Sequence, residues 1–169
     1  KFYLRAYLII MEASIKLQKD TEHIYYIDDW GIATSLSYPL LLAPLNIDDT
    51  DEIIKMKMNL VAKYIETFVV RRSINYKKFA SSSIRYTMYT LVKEIRGKTI
   101  DELRSILTFK LESMPETWDK MNKFGMHGQN KRFVKFLLSR ISSHIDKHAG
   151  INTNYDSYFR PEGKQFEIE

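Results

Sequence analysis

Apolar positions recur along this sequence with helical spacing almost from end to end. Residues 2 to 19 read as a first helix with little polar interruption. From Asp20 to Ser37 the pattern is less regular. Tyr25, Tyr26, Ile27 and Trp30 are expected to pack there, and a short helix is expected to start near Asp28 and Asp29. Tyr38-Pro39 then opens a compact apolar segment, Leu40-Leu41-Leu42-Ala43, closed by Pro44. This reading puts Pro39 in a first turn, where its missing N–H costs nothing. The clearest helix follows Asp48-Asp49-Thr50-Asp51-Glu52, side chains that cap a helix and suit its positive end. Ile54, Met58, Val61, Ile65 and Phe68 recur at spacings of 4, 3, 4 and 3, with Ile53, Met56, Leu60 and Tyr64 alongside. So wide an arc predicts a central helix with neighbours on two sides, ending near Arg71-Arg72.

Ser81-Ser82-Ser83 is the expected cap of a helix with Ile84, Met88, Leu91 and Ile95 on one face and Gly97 as its stop. Thr99 and Glu102 have capping-box spacing ahead of Ile100, Leu103, Leu107, Leu111 and Met114. Pro115 opens a short helix through Trp118 and Met121 that ends near Gly125. The last long helix runs from Gln129 to Ala149, with Phe133, Leu137, Ile141 and Ile145 inward and Gly150 as stop. Residues 150–169 read as an irregular tail in which only Phe166-Glu167-Ile168-Glu169 alternates like a strand. The expectation is an all-α protein: a single helical domain of about six or seven helices over residues 1–149, then the tail.

Composition narrows the function classes. With 169 residues, 44% of them hydrophobic, the chain can bury a core without staples. It has no Cys, which excludes a thiol nucleophile, a Cys-ligated zinc and a disulfide, and suits a reducing cytoplasm. No apolar run approaches the ~18 residues of a membrane helix, so no membrane partner is expected. The chain opens at Lys1 in mid-periodicity with no signal peptide in view, and it is expected to be an internal piece of a longer protein.

The net charge of +5 is strongly segregated. Residues 1–54 hold 4 basic and 9 acidic side chains, whereas residues 55–100 hold 11 basic and 2 acidic. Residues 129–149 hold 5 basic against 1 acidic. Blocks of this kind are either solvated helix faces or the field a polyanion seeks.

Motifs for catalysis are missing. Neither a phosphate-cradling Gly-rich loop nor a His-Glu-x-x-His occurs, and Gly125-Met126-His127-Gly128 reads as a turn between helices. His144 and His148 stand one helical turn apart, a spacing that can serve a metal, but no carboxylate sits at third-ligand spacing. A helix end with dipole-matched histidines is the simpler reading, and no cofactor is expected. The Asp28-Asp29 and Asp48-Asp49 pairs splay to different faces and suit caps better than acid–base work.

The basic features carry more. Arg71 and Arg72 are followed by Tyr76-Lys77-Lys78-Phe79 and then by Arg85, Tyr86 and Tyr89. Cations hold phosphates, and nearby aromatics stack on exposed bases. On the last helix Arg132, Lys135, Ser139 and Ser142 lie opposite the Phe133, Leu137 and Ile141 stripe. Arg71, Arg72, Lys77, Lys78, Lys131, Arg132, Lys135 and Arg140 are therefore the candidate phosphate contacts. The competing reading has Arg71 or Arg72 capping carbonyls or bridging Asp and Glu of the acidic first third, residues 1–54.

Four segments in order carry a resemblance. They are Tyr38-Pro39-Leu40-Leu41-Leu42, the run from Ile65 to Ile74 (Ile-Glu-Thr-Phe-Val-Val-Arg-Arg-Ser-Ile), the run from Asn130 to Ile141, and Phe166-Glu167-Ile168-Glu169. Together, from about Ser37 to the end, the chain resembles the helical middle of GmrSD-like proteins, modification-dependent (type IV) restriction nucleases of bacterial antiphage defence. The resemblance implies a parent with a ParB-like nucleotide-hydrolysing N-terminal domain and an HNH-type nuclease at the C-terminus. The helix from Asn130 would precede the HNH motif, and Phe166–Glu169 would be the strand entering it. The nucleotide motif is absent and the HNH histidine would follow Glu169, so no catalytic residue carries over. The implied role is a non-catalytic, DNA-positioning or linking region, with DNA (modified, in this family) and neighbouring domains as partners. The alternative is a protein–protein or interdomain scaffold without nucleic-acid contact.

Overall fold

A computed structural model describes residues 1–31, 34–128, 130–152 and 154–160. The chain is all-α, as the periodicity predicts. The described residues form eight α-helices: α1 (Phe2–Ile15), α2 (Glu22–Trp30), α3 (Thr34–Leu42), α4 (Asp51–Ile74), α5 (Ser81–Ile95), α6 (Ile100–Glu112), α7 (Lys131–Ala149) and α8 (Tyr155–Phe159). A 3₁₀ helix, Trp118–Lys123, stands between α6 and α7. The expected strand at Phe166–Glu169 lies outside the described residues. Contacts gather the chain into two compact units, Lys1–Lys120 and Met121–Glu169.

The first unit is built around α4, which packs against α1, α2, α3 and α6. Ile54, Met58, Val61, Ile65 and Phe68 are all buried, as the 4-3-4-3 stripe requires. Of the second stripe Tyr64 is buried, whereas Met56 is exposed. The helix starts where the acidic cluster predicts. Thr50 is the N-cap, its Oγ1 accepting from Ile53 N–H, and Asp51 and Glu52 occupy the first turn.

The other end of α4 closes with a Schellman motif, in which Lys77 N–H donates to Arg72 C=O and Tyr76 N–H to Ser73 C=O. Tyr76 takes the left-handed position with φ of 56°, where glycine is usual.

Three charged side chains of α4 are buried, and each holds a different neighbouring segment. Lys57 Nζ donates to Pro44 C=O at 3.0 Å and to Asp49 Oδ2 at 2.8 Å, fixing the α3–α4 connection. Glu66 Oε2 lies 2.5 Å from His23 Nδ1. Two turns earlier on the same face of α4, Asn59 Oδ1 accepts from the His23 backbone N–H at 3.0 Å. Thr21, the N-cap of α2, makes no side-chain cap bond, so Asn59 caps α2 from another helix. Arg71 holds the segment after α6, described below.

Several local expectations change. Asp28 and Asp29 end α2 rather than start a helix, because Gly31 adopts φ of 72° and stops it. Burial there raises the Asp28 carboxyl above its ordinary range. Pro39 sits inside α3, which begins five residues earlier at Thr34. Helix α5 is capped at Ala80 with no side-chain cap bond, so the Ser81–Ser83 run does not cap it. Gly97 does stop α5, with φ of 64°, and its N–H donates to Ala43 C=O. A Cβ there would meet Asn46 Oδ1 at 3.2 Å.

The second unit holds the largest change. Phe133, Phe136, Ser139 and Asp146 are the buried residues of α7, whereas Ile141 and Ile145 are exposed. The reason is α8, a helix within the expected irregular tail. Tyr155 and Phe159 pack edge-on to Phe136 with ring centroids 6.0 and 6.4 Å away, and Tyr158 O–H donates to Asp146. Those contacts turn the Phe136 face inward.

The capping box at α6 is present as predicted: Thr99 Oγ1 accepts from Glu102 N–H, and Glu102 Oε2 accepts from Thr99 N–H at 2.9 Å. The Thr99 N–H, then Lys98 and the Thr99 hydroxyl, lower the Glu102 carboxyl from its ordinary 4.5 to about 2. Because the folded value lies below the unfolded one, this stabilisation is complete above pH 4.5 and is lost as pH falls towards about 2. Urea unfolding across that window should therefore show Glu102→Gln weaker than wild type at pH 7 and equal to it near pH 2. Thr99→Ala should cost about 1 kcal/mol at neutral pH.

Candidate nucleic-acid interface

The eight candidate cations separate into three groups. Arg71 is buried and spends its guanidinium on backbone carbonyls. Its Nε donates to Glu116 C=O at 2.7 Å, Nη1 to Leu111 C=O at 2.5 Å, and Nη2 to Glu116 C=O. Leu111 belongs to the last turn of α6, whose carbonyls lack partners within the helix. A cation there satisfies an orphan acceptor and meets the negative end of the dipole. Arg71 is thus a structural residue, and the carbonyl-capping alternative describes it.

Arg72 is mostly buried and also turned inward. Its Nη1 lies 3.1 Å from Glu116 Oε1, its Nε and Nη2 donate to Lys78 C=O at 3.0 and 2.7 Å, and the group covers the Phe68 ring. The acidic partner comes from the segment after α6, not from the acidic first third. By holding the Lys78 carbonyl, Arg72 fixes the backbone of the α4–α5 connection, and Lys77 and Lys78 are exposed on it.

From this connection α5 runs with Ile84, Met88, Leu91 and Ile95 buried. Its outer side carries Arg85, Tyr89 and Lys93 at intervals of four residues, followed by Arg96 at the C-cap, and all four are exposed. Tyr86 stands beside them, 86% exposed. Among the described residues no acidic side chain pairs with Arg85, Lys93 or Arg96. Glu94 of the same helix is taken by Lys110 at 2.8 Å. The stripe is about 17 Å long at 1.5 Å per residue. Sequence reading noted Arg85, Tyr86 and Tyr89 but missed Lys93 and Arg96. The signal was available, since 85, 89, 93 and 96 share a face opposite the Ile84 stripe.

The third group belongs to the second unit. Lys131 and Arg132 are exposed in the first turn of α7, and Lys135 lies over the Phe159 ring at 5.9 Å. No acidic residue occupies that turn, so two cations, Lys131 and Arg132, stand at the positive end of a dipole. Asn130 organises the preceding turn, accepting from His127 N–H and donating to Gly125 C=O. Arg140 is half-buried. Ser139, expected on the same face as the cations, is buried instead.

His144 and His148 lie ring to ring at 4.4 Å, but the described residues hold no group of three or more metal-ligating side chains. A cavity of about 580 Å³ in the first unit is lined by Asp20 and Glu52 as well as Lys55, Lys63 and Arg104. Its alternating signs favour no one charge class. No helix among the described residues is long and apolar enough to cross a membrane. Comparison with models of protein families, with curated proteins and with solved structures gives no match.

The two arginines at the end of α4 should behave as structure. Arg71→Met leaves carbonyls at the end of α6 without donors and should cost about 2–4 kcal/mol in urea unfolding. Arg85→Glu, at an exposed site, should change stability by under about 0.5 kcal/mol. Equal losses at the two positions would contradict this division.

Proposed function

We propose that this chain is a non-catalytic helical region that holds the phosphate backbone of DNA, as the resemblance to modification-dependent restriction nucleases implies. The observation that carries this reading is the outer face of α5 with the connection before it. Lys77, Lys78, Arg85, Lys93 and Arg96 are exposed there, with Tyr86 and Tyr89 exposed among them. The stripe matches the axial rise of about five phosphates on one strand, at 3.4 Å each. Cations contact phosphates without reading sequence, and the tyrosines add stacking area where bases are unpaired. Lys131 and Arg132, exposed in the first turn of α7, and Lys135 one turn on point the same way.

In this reading Arg71 and Arg72 are no longer DNA contacts; they shape the connection that presents Lys77 and Lys78. The proposal places the protein in the bacterial cytoplasm, with DNA and neighbouring domains of a parent nuclease as partners. A scaffold role without nucleic acid is the second reading. The internal pairing of Arg71 and Arg72 favours it, because two of the eight candidate cations are used inside the fold.

Titration with a fluorescent duplex distinguishes the two. Binding should be independent of sequence and should weaken steeply with salt. Arg85→Glu with Lys93→Glu should weaken it at least about tenfold and flatten the salt slope by roughly two phosphate contacts. Thermal stability should stay unchanged. No binding at low salt would leave the scaffold reading.

A further inference from the structure

Helix α1 is apolar around most of its circumference. Ala6, Ile10 and Ala13 face the first unit's core and are buried. Tyr3, Leu4, Tyr7, Leu8, Met11 and Ile15 are nevertheless all exposed, from 37% at Met11 to 77% at Ile15. Successive residues of an α-helix are 100° apart. These six therefore occupy one arc beside the buried one, broken only by half-buried Ser14, and Lys1, Arg5, Glu12 and Lys16 form a polar strip along its other edge. Even that strip is partly committed, since Arg5 pairs with Asp51 at 3.0 Å and donates to Asp49 C=O. A surface helix ordinarily turns its apolar stripe to the core and polar residues outward, whereas α1 has apolar residues on both sides. Patches of this size on monomers are uncommon and mark interaction sites.

We propose that the outer face of α1 is a self-association surface, on which two copies of the chain pair their α1 helices antiparallel about a two-fold axis. Leu4, Leu8, Met11 and Ile15 follow spacings of 4, 3 and 4, the seam of a two-helix contact. Antiparallel pairing sets Leu4 against Ile15 and Leu8 against Met11 of the other copy. The same patch thus meets itself, as a two-fold interface requires. The exposed fractions correspond to roughly 600 Å² per copy, which brings the pair to the lower end of specific interfaces, about 1,200 Å². Chemistry argues against a lipid surface as the occupant. The strip beside the arc holds only Lys1, Arg5 and Lys16 against Glu12, and Arg5 is already paired with Asp51, which leaves little charge to draw an anionic surface. For an interface of this small size a micromolar dissociation constant, about 1–100 µM, is expected.

The test is sedimentation velocity on the full 169-residue chain from about 5 to 200 µM, with an absorbance readout. Wild type should shift from monomer to twice the monomer mass. Leu8→Glu should weaken that shift at least about tenfold with an unchanged melting temperature, since residue 8 is 57% exposed. The chain contains no cysteine, so introduced thiols give a clean register test. Leu4→Cys with Ile15→Cys should form a disulfide-linked dimer under mild oxidation. Leu4→Cys alone should not, because the two copies of residue 4 stand about 16 Å apart along the axis. A chain monomeric throughout the range, or a dimer indifferent to Leu8→Glu, would overturn the proposal. So would efficient cross-linking through Leu4→Cys alone. A monomer that instead co-pellets with phosphatidylcholine vesicles would overturn it and assign the face to lipid.

Discussion

A helix buried along most of its length cannot leave charges unpaired, and α4 carries three of them inside the first unit. An isolated ion in a low-dielectric interior costs several kcal/mol, and that cost is offset only by close partners. Lys57 meets Pro44 C=O and Asp49, Glu66 meets His23, and Arg71 meets the carbonyls of Leu111 and Glu116. Each partner lies on a different segment: the α3–α4 connection, the start of α2, and the end of α6. Apolar burial brings these segments against α4, and the buried charges then fix where along α4 each one stops. A slide along α4 would leave each ion buried away from its partner, a cost added to that of repacking the apolar contacts. The registry of the first unit follows from this.

The same constraint reaches the candidate interface. Arg72, one residue beyond Arg71, is drawn inward by Glu116 and in turn holds the Lys78 carbonyl. The backbone before α5 is thereby tied to the segment after α6, and Asn75 adds a second tie through Thr117 C=O. A cationic face is useful to a polyanion only if its charges are fixed in relation to one another. The connection that carries Lys77 and Lys78 gains that fixity from Arg72 and Asn75.

What the sequence made legible shares one physical property: the interacting groups are close in the chain. The 4-3-4-3 stripe of α4, the Thr99–Glu102 capping box and the stops at Gly97 and Gly150 are each decided within a turn or two. Arg71 resisted reading because its partners lie 40 to 45 residues away, and nothing local separates a guanidinium that caps carbonyls from one facing solvent. The orientation of α7 was misread for the same reason. Its pattern admits Phe133-Leu137-Ile141 or Phe133-Phe136-Ser139 as the inner face, and α8 selects the second from beyond Gly150. Asp28 and Asp29 carry an N-terminal signature by type, yet the left-handed Gly31 behind them makes that end a C-terminus.

Charge segregation takes on a different meaning once burial sorts the residues. The excess of residues 55–100 counts 11 cations, but Lys57, Arg71 and Arg72 are consumed inside the fold and Lys98 pairs with Glu102. In the acidic first third Asp49 and Asp51 are likewise spent, on Lys57 and Arg5. Composition therefore overstates the field and misplaces it, since the pair Arg71-Arg72, conspicuous in the sequence, adds little at the surface. The cations left over are concentrated on the α4–α5 connection and along one side of α5. Potential at a surface depends on such unpaired charges and on their distance from one another, not on the net count. A stripe of three cations and a tyrosine on a helix whose only carboxylate is already paired presents a single sign to whatever approaches it.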